Sequence, residues 1–153
     1  MRALWRAPLL WALRRSPEEI DRQARRFRIH TEQGRNLVAG VGSAFLGGFN
    51  AMLGRATFDE VAEDGTRVTP HFRPFFFEGA AMGYLPRGLL RSGARRRHAE
   101  RDLLAMNPGF RYLYYVGLGF WFGMRSRRPS SLLALERHLD PIYYPLCYDG
   151  FGF

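Results

Sequence analysis

The chain has 153 residues, 46% of them hydrophobic, and a net charge of +9. That length and balance fit one globular domain and exclude a disordered or fibrous chain. The single cysteine, Cys147, excludes an internal disulfide and a cysteine-based zinc site, and it fits a cytoplasmic protein.

All 23 basic residues are Arg and none is Lys, the signature of a GC-rich coding sequence. Arginine is then partly a default solvated residue, so the positive charge argues only weakly for phosphate binding, and nucleic acid is not the expected partner. Residues 1–15 form a basic and apolar segment. Trp5, Leu9 and Leu13 fall on one side at helical spacing, but Pro8 interrupts the run, Arg14 and Arg15 close it, and no small-residue cleavage site follows. This is a poor secretory signal; it reads either as a first helix packing on its own domain or as an anchor lying on a membrane surface.

Residues 16–153 read as a helical domain. Ser16-Pro17-Glu18-Glu19 has the order of a helix start, with a capping hydroxyl, proline at the first helical position and acids at the positive end of the dipole, and predicts a helix to about Phe27. Asn36 to Gly54 carries no charge over 19 residues, a length that just spans a bilayer. Its five glycines and its polar Asn36, Ser43 and Asn50 argue instead for a buried helix, and Gly40, Ala44 and Gly48, four apart, form a face that another helix can approach closely. Thr57-Phe58-Asp59-Glu60 predicts a capped turn and Glu63-Asp64-Gly65 a loop. Pro74 to Leu85 is a second apolar helix that Pro86 should kink or end.

Arg91 to Arg101 follows as a solvated basic run, and Asn107-Pro108-Gly109 as a turn. Tyr112 to Met124 is a third apolar helix, too short to cross a membrane. Ser131 to His138 is a short last helix ended by Asp140-Pro141, and the residues from Tyr148 to Phe153 are apolar and turn-forming. No internal repeat stands out. The expected fold is mainly α, one glycine- and aromatic-rich helical domain, incomplete at its end.

No metalloprotease, phosphate-loop, nucleophile-elbow or aspartate-rich magnesium motif is present, and Gly117 to Gly123 lacks the spacing of a nucleotide loop. His30, His71, His98 and His138 stand too far apart for a local metal site, so neither metal nor cofactor is expected. Glu78 is the most informative residue, because Phe75, Ala81, Met82 and Leu85 lie three, four and seven positions away on its side of a helix. A carboxylate desolvated there needs a cationic partner or a raised pKa. It reads either as a structural Glu paired with an arginine, or as a general acid or base or a polar contact in an apolar pocket. Asp140 and Asp149 are further candidates, each beside a turn former, where an aspartate usually organises backbone.

Val41 to Phe49, Phe76 to Met82, Tyr114 to Trp121, and Asp140-Pro141 followed by Asp149 to Phe153 resemble, in order, segments of the bacterial domain-of-unknown-function family 1702, found beside enediyne polyketide synthases. The match covers most of this chain and about the first half of a longer family protein. Family members continue past the last motif, so the resemblance implies a truncated gene or one part of a split protein.

It also implies a pathway role in handling a polyene-like polyketide, without naming a reaction. On that reading Glu78 and Asp149 are the candidate catalytic residues, and Phe77, Tyr115 and Trp121 line a cleft for an apolar polyketide intermediate. The rival reading is a non-catalytic helical protein held on a protein partner or peripherally on a membrane surface.

Overall fold

The computed structural model describes Ile29 and residues 31–90, 96–126 and 130–152. These contain seven α-helices and no strand: α1 (Glu32–Gly54), α2 (Phe58–Arg67), α3 (Arg73–Leu90), α4 (Ala99–Met106), α5 (Arg111–Ser126), α6 (Ser130–Glu136) and α7 (Leu146–Gly152). The fold is mainly α, as composition and periodicity predict. The segment 1–15 and the helix expected from Ser16 to Phe27 lie outside the described residues.

Local chemistry sets most boundaries. Thr31 caps α1 by accepting from the Gly34 N–H at 3.1 Å, and Thr57 and Glu60 form a reciprocal capping box at the start of α2. Glu63-Asp64-Gly65 is helical rather than a loop. Arg67 pairs with Glu63 and Asp64 one turn away, Asp64 also holds Arg55 at 2.6 Å, and Gly65 lies beneath the Phe77 ring, where a side chain would collide. The Asn107-Pro108-Gly109 turn is a short 3-10 helix, with the Asn107 side chain accepting from Gly109 at 2.9 Å.

Pro86 does not end its helix; α3 runs through it to Leu90. A proline removes one donor and frees one carbonyl acceptor. That loss is offset on the next residue, where the buried Arg87 donates to the carbonyls of Met52 at 3.0 Å and Ala56 at 2.8 Å and lies 4.5 Å over the Phe58 ring. Tyr148 to Gly152 are likewise helical, as part of α7, and not a turn.

α1, α3, α5 and α7 lie side by side in that order, and α2, α4 and α6 pack against the row. α1 has the length and composition of a membrane-spanning helix, and 28% of its apolar stretch is buried. Burial is concentrated in its second half, at Ala44, Gly48, Phe49, Met52 and Leu53, because this half meets α3. A methyl group on Gly48 would overlap the Phe76 carbonyl oxygen, and one on Gly79 would overlap that of Phe45. The two backbones therefore touch at reciprocal glycines.

α5 and α7 repeat this contact. Gly119 meets the Cys147 carbonyl and Gly150 meets that of Val116. All four positions lie 71 residues beyond their counterparts in α1 and α3. The same offset relates α2 to α6, with Val61 and Leu132 both fully buried, and it relates the turns that follow. Phe72 and Arg73 donate to the Thr69 carbonyl, while Tyr143 and Tyr144 donate to that of Asp140. It also relates Gly40 beneath Phe72 to Arg111 over Tyr143. The domain is an internal repeat, α1-α2-α3 followed by α5-α6-α7, contrary to the sequence expectation. At that offset Asn36, Gly48, Phe49, Pro70, Pro74 and Gly79 recur as the same residue, too few to stand out in the sequence.

Neighbouring glycines of α1 should respond oppositely to alanine. A Gly47 methyl would lie at ordinary contact distance, 3.7 Å, from the Phe76 ring, so Gly47→Ala should stabilise by up to about 1 kcal/mol through helix propensity. Gly48→Ala forces the backbones apart and should cost about 1–3 kcal/mol or more. Urea unfolding followed by circular dichroism measures both.

Candidate functional site

Glu78 lies on α3 at the level where both neighbouring helices come closest. The adjacent Gly79 takes the α1 backbone, and the Glu78 carbonyl takes Gly117 of α5. Because Gly79 and Gly117 remove side chains from both flanks, Phe45 of α1 and Phe120 of α5 meet across α3, their rings 5.5 Å apart. Met82, one turn from Glu78, is buried, and Phe75 and Leu85 are partly buried on the same side.

Glu78 itself is 9% exposed. Among the described residues it has neither a hydrogen bond nor an ion pair. The arginines of the neighbouring elements serve other groups: Arg87 binds helix carbonyls, Arg55 binds Asp64, and Arg111 binds Glu100 and Asp140. Burial alone therefore acts on the carboxyl and pushes its pKa up to about 7. A group poised there can give or accept a proton near neutrality, or donate a hydrogen bond as the neutral acid.

The other residues singled out from the sequence are spread over the molecule. Phe77 turns away from Glu78 into the core, stacked 4.9 Å from Phe110 and edge-on to Tyr114. Tyr115 accepts from the Asp140 N–H at 3.1 Å and packs its ring 5.6 Å from Tyr143; burial raises its phenol above the ordinary range. Trp121 is buried on α5, one turn beyond Gly117. Asp149 is exposed on α7 and occupies in the second repeat the place of Glu78 in the first. Of these residues, Trp121 shares the flank of α5 on which Gly117 meets α3; Phe77, Tyr115 and Asp149 are held elsewhere.

Two polar clusters escaped the sequence reading, since their members are distant in the chain. Arg111 bridges Glu100 and Asp140, Glu100 accepts from the Asp140 N–H at 3.0 Å, and Asp140 accepts from Ile142 at 2.9 Å. Tyr84 donates to the buried Asp102 at 2.7 Å, and Arg101 pairs with the same carboxylate. Both clusters are mutually satisfied and fix α4 against its neighbours. Cys147 is buried with its thiol pushed up to about 12, unsuited to nucleophilic chemistry. Among the described residues no three His, Cys, Asp or Glu side chains gather as metal ligands.

The model of one family, described as Protein of unknown function (DUF1702), matches residues 5–153. The chain belongs to that family. No curated protein and no solved structure matches it.

Because the carboxyl is raised in the folded state and ordinary in the unfolded chain, the folded state keeps its proton between about pH 4.5 and 7 while the unfolded state releases it. The Glu78 contribution to stability is then complete below about pH 4.5 and is lost as pH rises through 7. Thermal melts of wild type and Glu78→Gln from pH 4.5 to 8 should show the variant gaining relative stability across that window. A constant difference would mean that Glu78 is not desolvated.

Proposed function

We propose that this protein is an accessory factor of enediyne-type polyketide biosynthesis that binds or processes an apolar, polyene-like intermediate, with Glu78 as the polar group that engages it. Glu78, a 9% exposed residue whose carboxyl has no hydrogen bond or ion pair among the described residues, on the helix flanked by Phe45 and Phe120, carries the proposal. Desolvating a carboxyl without a partner is costly, and such groups concentrate where a ligand or a proton transfer uses them. The pathway assignment rests on the resemblance of four ordered segments to a family that accompanies enediyne synthases. Of the aromatic residues singled out from the sequence, Trp121 is the best placed to contribute to such a site; Phe77 and Tyr115 are held elsewhere by packing, and Asp149 is exposed on α7.

The test has two parts. Deleting the gene in a producing strain should abolish the mature enediyne, and unchanged product would refute the pathway role. For the site, the purified chain should enhance the fluorescence of diphenylhexatriene, an uncharged linear polyene. Glu78→Leu should alter the affinity at least about threefold, while the exposed control Asp59→Asn should leave it unchanged. Equal responses of Glu78→Leu and wild type would separate Glu78 from the ligand.

A further inference from the structure

Glu78 is enclosed without being sealed. Among the described residues no side-chain oxygen or nitrogen is both shut off from the exterior and without a hydrogen-bond partner. The Glu78 oxygens have no such partner, so each keeps some open surface that an atom from outside can touch, although the residue is buried. No charged group among the described residues acts on it. α1 has no charged residue from Asn36 to Gly54, α5 has none between Arg111 and Arg125, and the Pro108–Phe110 turn has none. On α5, Tyr112 is exposed, Tyr114 donates to the Asn107 carbonyl and Tyr115 holds the Asp140 N–H. On α2, Glu63, Asp64 and Arg67 pair among themselves and with Arg55, Glu60 caps the helix, and Asp59 is exposed. His71, just before α3, packs on Phe72. On α3 itself Arg73 donates to the Thr66 and Val68 carbonyls, Tyr84 donates to Asp102, and Arg87 donates to Met52 and Ala56.

These surroundings select the form in which the acid acts. A carboxylate there has neither a cation nor a donor to stabilise it, and a ligand charge brought beside it would first have to be stripped of water. The neutral acid needs only an acceptor for its O–H, and Phe75, Met82 and Leu85 on its side of α3 supply none. A hydrocarbon polyene leaves that donor unsatisfied. A carbonyl oxygen satisfies it, and conjugation with a polyene increases the negative charge on that oxygen. We propose that the ligand is a polyene conjugated to a carbonyl group and that Glu78 donates a hydrogen bond from its neutral carboxyl to the carbonyl oxygen, an inference that rests on Glu78 being the group that engages the ligand.

The probes are diphenylhexatriene, its acetyl derivative, which adds a conjugated ketone, and its trimethylammonium derivative, each titrated with the purified full chain. At about pH 6, where Glu78 keeps its proton, wild type should bind the ketone about three- to tenfold tighter than the parent hydrocarbon. That preference should fade as pH rises through 7 to about 8.5 and the carboxyl ionises. Glu78→Gln, whose amide still donates, should keep the preference at both pH values, and Glu78→Leu should lose it at both. The absorption band of the bound ketone should lie further to the red in wild type than in Glu78→Leu, because a donor on the oxygen stabilises the excited state. A ketone preference that is absent in wild type, or that survives Glu78→Leu, overturns the proposal. So does tighter binding of the trimethylammonium probe than of the ketone at about pH 8.5, lost in Glu78→Gln, which would make Glu78 a carboxylate for a cation. If Glu78→Leu alters diphenylhexatriene binding and the ketone is not preferred, the site stands and this inference falls; if no probe binds, both fall.

Discussion

The contact of one helix backbone with another at a glycine is the constraint on which this structure depends. Gly48 and Gly79 each lie against a carbonyl of the opposite helix, and Gly119 and Gly150 do the same 71 residues later. Such an approach gains Cα–H···O and dispersion contacts that longer side chains would prevent. Each glycine costs about 1 kcal/mol of helix propensity relative to alanine, so the helices persist because packing offsets that cost. α3 and α5, the two inner helices of the row, bear the contact on both flanks.

That confinement explains the environment of Glu78. Apolar neighbours on its own helix would leave a carboxylate at a surface; the convergence of α1 and α5 brings Phe45 and Phe120 together over α3. Asp149 provides an internal comparison. It also precedes the contact glycine of its helix, and it too has one helix packed beside it, but the second helix is missing among the described residues and the side chain is exposed. One local motif thus acquires two environments, according to how many neighbours its helix has. The polar clusters behave in the opposite manner: Glu100, Asp102, Arg111 and Asp140 are paired by tertiary contacts and hold the connecting segments.

Much of the helical pattern was legible in the chain. The uncharged stretches Asn36 to Gly54, Pro74 to Leu85 and Tyr112 to Met124 became α1, α3 and α5, and Thr57 and Asn107 cap where their hydroxyl and amide suggested. The failures share a cause. Glu63 to Gly65 and Tyr148 to Gly152 carry local turn signals, yet both are helical: the first is held by ion pairs and the Phe77 ring, the second by α5 against Gly150. The Pro86 break was overridden by Arg87 binding carbonyls of α1 and of the segment after it. The repeat escaped because it is conserved as backbone contacts and hydrogen bonds, which many side-chain choices satisfy.

By itself the sequence determined the helical class, the small-residue faces along which helices could meet, and the presence of an acid in an apolar run, since these follow from periodicity, charge and side-chain size. Only the tertiary structure decided which faces meet, that Glu78 has no partner among the described residues while the arginines near it are engaged, and that Asp149 faces solvent. Burial and pairing depend on segments far apart in the chain, and helical spacing along one segment cannot report which neighbours will cover it.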